Sequence, residues 1–201
     1  LTSMSVSNVY APLVADIVNG GRNIFLTAGA GSGKTTLLRQ IIQAEKDRAV
    51  VLAPTGLAAV QVGGQTIHSF FNFPPRLLDA ADARKLRNAR VVKAVETMII
   101  DEISMVRADM LEAIDRALRL NRGKRAPFGG VRMILSGDLH QLPPVVEADV
   151  EPILEAAYGG PWFFRAPAFA QANFRLAALK RMFRQEDEGF LSILNAMRQG
   201  R

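Results

Sequence analysis

The 201-residue sequence contains no cysteine, which excludes a disulfide framework and any thiolate-ligated metal centre. No apolar run approaches the roughly 18 residues that a membrane span requires. Residues 1–7 lack the basic-then-apolar pattern of a secretion signal. Internal repeats and low-complexity tracts are missing as well. These absences predict a cytoplasmic protein with no membrane partner. What remains is ordinary for a globular chain, with 49% apolar and 22% charged residues. The length suits one large or two small domains with a real core. A helical run over Phe190 to Met197 is followed directly by Gly200 and Arg201, which reads as a truncated end.

Acidic residues are also missing from 116–132, where Arg116, Arg119, Arg122, Lys124, Arg125 and Arg132 stand alone. Residues 76–93 hold six basic side chains against Asp79 and Asp82, within a net charge of +6. Local excess of this kind suits a polyanion such as nucleic acid, and it equally suits a solvated helix face.

Short β-branched runs alternate with longer amphipathic ones. Residues 23–27, 49–53, 98–101 and 132–136 are continuous and apolar, as strands buried on both faces of a parallel sheet must be. Residues 35–46, 56–62 and 107–120 carry helical spacing, and Met110, Leu111, Ile114, Ala117 and Leu118 form one stripe. The alternation predicts an α/β, mostly parallel sheet with helices on both faces. Residues 74–95 break the rhythm and are predicted to be a small insertion. A second break, from Gly159 to Pro167, is a loop carrying Trp162, Phe163 and Phe164.

Three stretches carry chemistry. Ala28 to Thr35 (AGAGSGKT) follows a strand and opens a helix, the context of a phosphate loop. Glycine at 29, 31 and 33 allows backbone N–H groups to converge on phosphate oxygens, and the helix N-terminus adds positive potential. The cradle is expected from Gly29, Ala30, Gly31, Ser32, Gly33, Lys34, Thr35 and Thr36. Lys34 is assigned to the β- and γ-phosphates of ATP, and the Thr35 hydroxyl to Mg²⁺. Asp101 and Glu102 end an apolar strand, expected to be adjacent to the loop's strand. Asp101 is assigned to Mg²⁺ and Glu102 to deprotonating the attacking water. Gln141, within Ser136 to Val145 (SGDLHQLPPV), is the candidate for sensing the γ-phosphate, and Pro143-Pro144 stiffens its exit.

These segments resemble a known family. APTGLAA (53–59), GQTIHSF (64–70), DEISM (101–105), GDLHQLPPV (137–145) and FRQ (183–185) occur in the order and approximate spacing of superfamily 1B DNA helicases, nearest the petite-integration-frequency helicases with RecD-like helicases as relatives. The resemblance covers about residues 8–200. It implies a RecA-like ATPase domain over 1–73 and 96–201, with a wedge-like subdomain over 74–95. A second RecA-like domain, absent here, is implied as partner. The implied activity is 5′-to-3′ translocation on single-stranded DNA driven by ATP and Mg²⁺, by a monomer. Thr55 and Gly56 match the family's grip on the strand backbone, with Thr66, His68 and Ser69 in the adjoining segment. His68 also reads as a buried, hydrogen-bonded histidine. Phe70, Phe71 and Phe73 offer faces for stacking on bases, with core packing the alternative for at least two. Arg184 matches the arginine that reaches the γ-phosphate, while Lys180 and Arg181 read as solvated charges.

The family's adenine-reading glutamine is missing around Tyr10 to Pro12, where Tyr10 could stack on the base or serve the core. Two rival readings remain at this stage. One is a phosphate-loop ATPase that remodels a partner, and the other is a nucleotide-dependent binding module.

Overall fold

The computed structural model describes residues 10–28, 32–139, 141 and 143–179. One six-stranded, wholly parallel sheet organises them: β1 (Ile24–Ala28), β2 (Ala49–Ala53), β3 (Gln65–Thr66), β4 (Thr97–Ile100), β5 (Arg132–Gly137) and β6 (Arg175–Leu179). The spatial order is β3-β2-β4-β5-β1-β6. The four predicted strands are present, and β3 and β6 join them at the edges. One expectation fails: β5 lies between β1 and β4, so the phosphate loop and the acidic pair are not on adjacent strands.

The continuous apolar runs are explained by burial on both faces. Successive side chains along a strand point to opposite sides. Ile24, Leu26, Ile99 and Ile134 therefore face one cluster with Ile17 of helix α1 (Ala11–Asn19) and Leu37, Leu38 and Ile41 of α2 (Lys34–Glu45). Phe25, Leu52, Met98, Ile100, Met133 and Leu135 face the other cluster. There they meet α4 (Ile67–Phe71) and the apolar stripe of α6 (Ala108–Arg122), with α8 (Pro167–Gln171) beyond. The short helices α3 (Gly56–Gln61), α5 (Ala89–Ala94) and α7 (Glu151–Tyr158) complete the layers. The loop at 159–167 contributes as well: Phe163 is fully buried and packs edge-on against Phe25, and Trp162 stacks on Phe164.

Residues 74–95 do not stand apart from this core. Leu78, Leu86, Val92 and Val95 are buried in the same cluster as α6. The polar face of α6 holds the segment along its length. Asp109 accepts from the Leu78 N–H at 2.9 Å, Asn121 accepts from the Leu86 N–H at 2.9 Å, and Arg122 donates to the carbonyls of Val92, Lys93 and Val95.

Candidate active site

All strands run the same way, so the loops that follow them share one edge of the sheet, where ligands of open α/β folds bind. The phosphate loop leaves β1 there. Gly33 sits in the left-handed region at φ 85 and starts α2 with no side-chain cap, which leaves the first N–H groups of a 12-residue helix free for an anion. Ser32 follows the same logic, its Oγ buried without a hydrogen-bond partner. Thr35 and Thr36 are exposed on the first turn of α2. Gly29, Ala30 and Gly31 lie outside the described residues.

Lys34 spans the gap that β5 creates. Its Nζ lies 3.3 Å from Asp101 Oδ1 and 3.8 Å from Glu102 Oε1, with only 12% of the lysine and aspartate side chains exposed. The Asp101 N–H is tied to the Leu52 carbonyl at 3.0 Å, which fixes the turn out of β4. Glu102 then adopts a left-handed conformation at φ 51, ψ 41, uncommon for a residue with a Cβ. A cation is thus held against two carboxylates at the edge where the phosphate loop opens. The available metal donors are the Thr35 hydroxyl and the Asp101 carboxylate, hard oxygens suited to Mg²⁺. No group of three or more His, Cys, Asp or Glu side chains that could hold a metal ion occurs among the described residues.

Gln141 is exposed and donates from Nε2 to Asp138 Oδ2 at 3.2 Å, so the turn after β5 orients it. The residues assigned to the strand have mixed surroundings. Thr55 caps α3, accepting from the Ala58 N–H at 3.3 Å, and Thr66 caps α4, accepting from the Ser69 N–H at 3.1 Å. Gly56 and Ser69 are exposed. His68 is half-buried, and burial, reinforced by Arg107 and opposed by Asp109, pushes its pKa down, so the ring is neutral at pH 7. For Phe70, Phe71 and Phe73 the core alternative holds for all three, which corrects the stacking role given to Phe70. All three are buried, at 3%, 1% and 5% exposure, and packed on one another, because α4 turns its apolar side into the core. They are core residues and not stacking surfaces.

A family model for PIF1-like helicases matches residues 4–201. The chain belongs to the PIF1-like helicase family. Among curated relatives, the ATP-dependent DNA helicase PIF1 of Emericella nidulans is 35% identical over 199 residues, covering 92% of this chain and 26% of its own length. The ATP-dependent DNA helicase Pif1 of Bdellovibrio bacteriovorus is 35% identical over 192 residues, covering 92% of this chain and 42% of its own. The solved Pif1 helicase from Bacteroides in complex with ADP-AlF3 and single-stranded DNA superposes with a TM-score of 0.77 at 38% identity, over 99% of this chain and 47% of that one. A Pif1 helicase studied unwinding forked DNA gives a TM-score of 0.80 at 37% identity, over 98% and 48%. The chain therefore spans less than half the length of each of these relatives.

Within this PIF1-like helicase fold, the basic run 116–132 is largely structural. Arg119 pairs with Asp115 at 2.7 Å, and Arg122 is spent on backbone carbonyls. Arg132 pairs with buried Glu45 at 2.9 Å and donates to the carbonyls of Ile17, Val18 and Arg22. Topology reinforces this reading, since α6 returns from the site edge and these residues lie at the opposite edge of the sheet. Arg184, Lys180 and Arg181 lie outside the described residues. Tyr10, left open between base and core, is 8% exposed in the α1–α2 cluster. No sequence pattern pointed to its other contact, a hydrogen bond to the phosphate loop.

Proposed function

We propose that this chain is the ATP-binding motor domain of a DNA helicase that moves 5′ to 3′ along single-stranded DNA. The observation that carries the proposal is the convergence of Lys34, Asp101 and Glu102 at the mouth of an uncapped helix, on the framework of a helicase family. In this reading the phosphate loop and Lys34 bind the triphosphate, Lys34 exchanging its carboxylate partners for phosphate oxygens. Thr35 and Asp101 would hold Mg²⁺, which supplies charge neutralisation at the transferring phosphoryl group. Glu102 takes the proton of the attacking water as it bonds to the γ-phosphorus and ADP leaves. Gln141 and Arg184 act on the γ-phosphate, the first as sensor and the second by stabilising charge in the transition state. Thr55, Gly56, Thr66, His68 and Ser69 contact the DNA backbone. Residues 74–95 act at the fork, and a second RecA-like domain supplies the facing wall of the nucleotide site.

The ssDNA complexes of Bacteroides Pif1 support this reading, as does the ADP-AlF3 bound in one of them. The test is ATP turnover by the full-length protein with and without single-stranded oligonucleotide, with Lys34→Ala as control. Stimulation by single strands but not by duplex is expected. Lys34-dependent turnover that no strand stimulates would leave a partner-remodelling ATPase, and binding without turnover would leave a nucleotide-dependent module.

A further inference from the structure

We infer that Tyr10 is a positioning residue for the phosphate cradle, holding from behind the peptide that aims the Gly33 N–H at the nucleotide. The inference rests on the nucleotide site proposed above. The Tyr10 ring is buried in the cluster that joins α1 to α2, with Leu37, Leu38 and Ile41. Its backbone carbonyl accepts from the Val14 N–H at 2.8 Å, so the first turn of α1 fixes where the ring enters. A ring held in this way presents no face to a base. Its hydroxyl instead crosses 22 residues of sequence to donate to the Ser32 carbonyl at 3.0 Å.

The consequence follows from peptide geometry. The Ser32 carbonyl and the Gly33 N–H belong to one planar trans peptide and point in opposite directions. A donor that captures the carbonyl on the core side therefore turns the N–H away from the core, toward the mouth of the loop. Rotation of that peptide would remove one donor from the cradle and place a carbonyl oxygen there, where it repels phosphate. Gly33 serves the same arrangement twice. Its left-handed φ of 85 favours glycine, and a Cβ built on it would overlap the Tyr10 hydroxyl. The Ser32 Oγ, buried and without a partner, is a further polar atom left for an incoming oxygen.

Sequence gives this tie added weight. No glutamine occurs among residues 1–39, the stretch in which the adenine-reading one is expected. Binding then depends on the phosphates, and a defect behind the loop should weaken every nucleoside triphosphate alike.

The experiment compares the full-length protein with Tyr10→Phe, which removes only the hydroxyl. Affinities for ribose-labelled fluorescent ATP and GTP are read by anisotropy, with kcat and KM for ATP measured alongside. Losing one neutral hydrogen bond should weaken both nucleotides by the same factor, roughly threefold to tenfold. KM should rise by that factor while kcat at saturation stays within about twofold of the parent. Ile41→Val, in the same apolar cluster, loosens the packing without touching the hydroxyl and should leave both affinities unchanged. Unaltered binding by Tyr10→Phe would overturn the inference, and so would a loss confined to ATP, since either leaves the phosphate cradle intact. An equal loss in Ile41→Val would overturn it as well, by assigning the effect to packing. Failure of the parent protein itself to bind either nucleotide would instead sink the nucleotide site on which the inference stands.

Discussion

Glu102 holds a conformation that its own side chain disfavours. A left-handed residue with a Cβ costs about 1–2 kcal/mol, and the turn after β4 sustains it because its surroundings leave little choice. The preceding residue is pinned to β2 through the Leu52 carbonyl, and Ile103 and Ser104 beyond it are fully buried. The strained turn brings the Glu102 carboxylate within 3.8 Å of the Lys34 ammonium. Such strain commonly marks a functional position, and the sequence Asp-Glu gave no hint of it. Glu102→Gln preserves the shape of the side chain and removes its basicity. Turnover of the full-length protein should fall by about 10² to 10⁴, with nucleotide affinity within about threefold of the parent, as measured by anisotropy. Turnover equal to the parent would remove the general-base role.

At the scale of elements, α6 does two jobs at once. Its apolar stripe was legible from spacing alone, and every member is buried. Buried on the same helix are Asp109, Asp115 and Asn121, each of which bonds a backbone group elsewhere in the chain. Periodicity cannot announce such pairings, because a backbone N–H leaves no mark on composition. The same reason hid the role of Arg122 and Arg132, whose charge pointed to a polyanion while their donors go to carbonyls. The edge strands escaped for a different cause: β3 is two residues long, and β6 opens on an exposed arginine and carries two alanines. Asn121 joins α6 to the segment 74–95 by its bond from the Leu86 N–H and another to the Arg84 carbonyl at 2.8 Å. Replacing it by alanine leaves the buried Leu86 N–H without an acceptor, a loss of about 1–3 kcal/mol. Urea unfolding should report a lower midpoint, with proteolytic cleavage rising first between residues 79 and 88. A loss below about 0.5 kcal/mol would mean that the segment is held by its apolar side chains alone.

At the scale of the whole sheet, the described residues place charged side chains at both edges. The edge that holds Lys34, Asp101 and the capping threonines Thr55 and Thr66 is the one assigned to ligands, whereas Lys124 and Arg125 are exposed at the far edge after α6 has crossed back. Motif chemistry singled out residues that the fold gathers at the first edge, Lys34 beside Asp101 and Glu102. Strand order was another matter, since nothing in a strand's sequence states who its neighbours are. That order has a consequence for how the chain is made. A ribosome delivers β1 and its loop before the other strands, yet both neighbours of β1, β5 and β6, are the last two of the six described strands to be made. While residues up to 131 are all that has emerged, β2, β3 and β4 can pair among themselves, but β1 has no strand to lie against. The nucleotide loop is therefore the first part of the site to leave the ribosome and the last to be framed. A fragment of residues 1–131 should fail to retain labelled nucleotide at any concentration that saturates the full-length protein, and retention would show that the loop organises itself without its sheet. The loop after β1 thus waits on strands made later, and its framework closes only once β5 and β6 are in place.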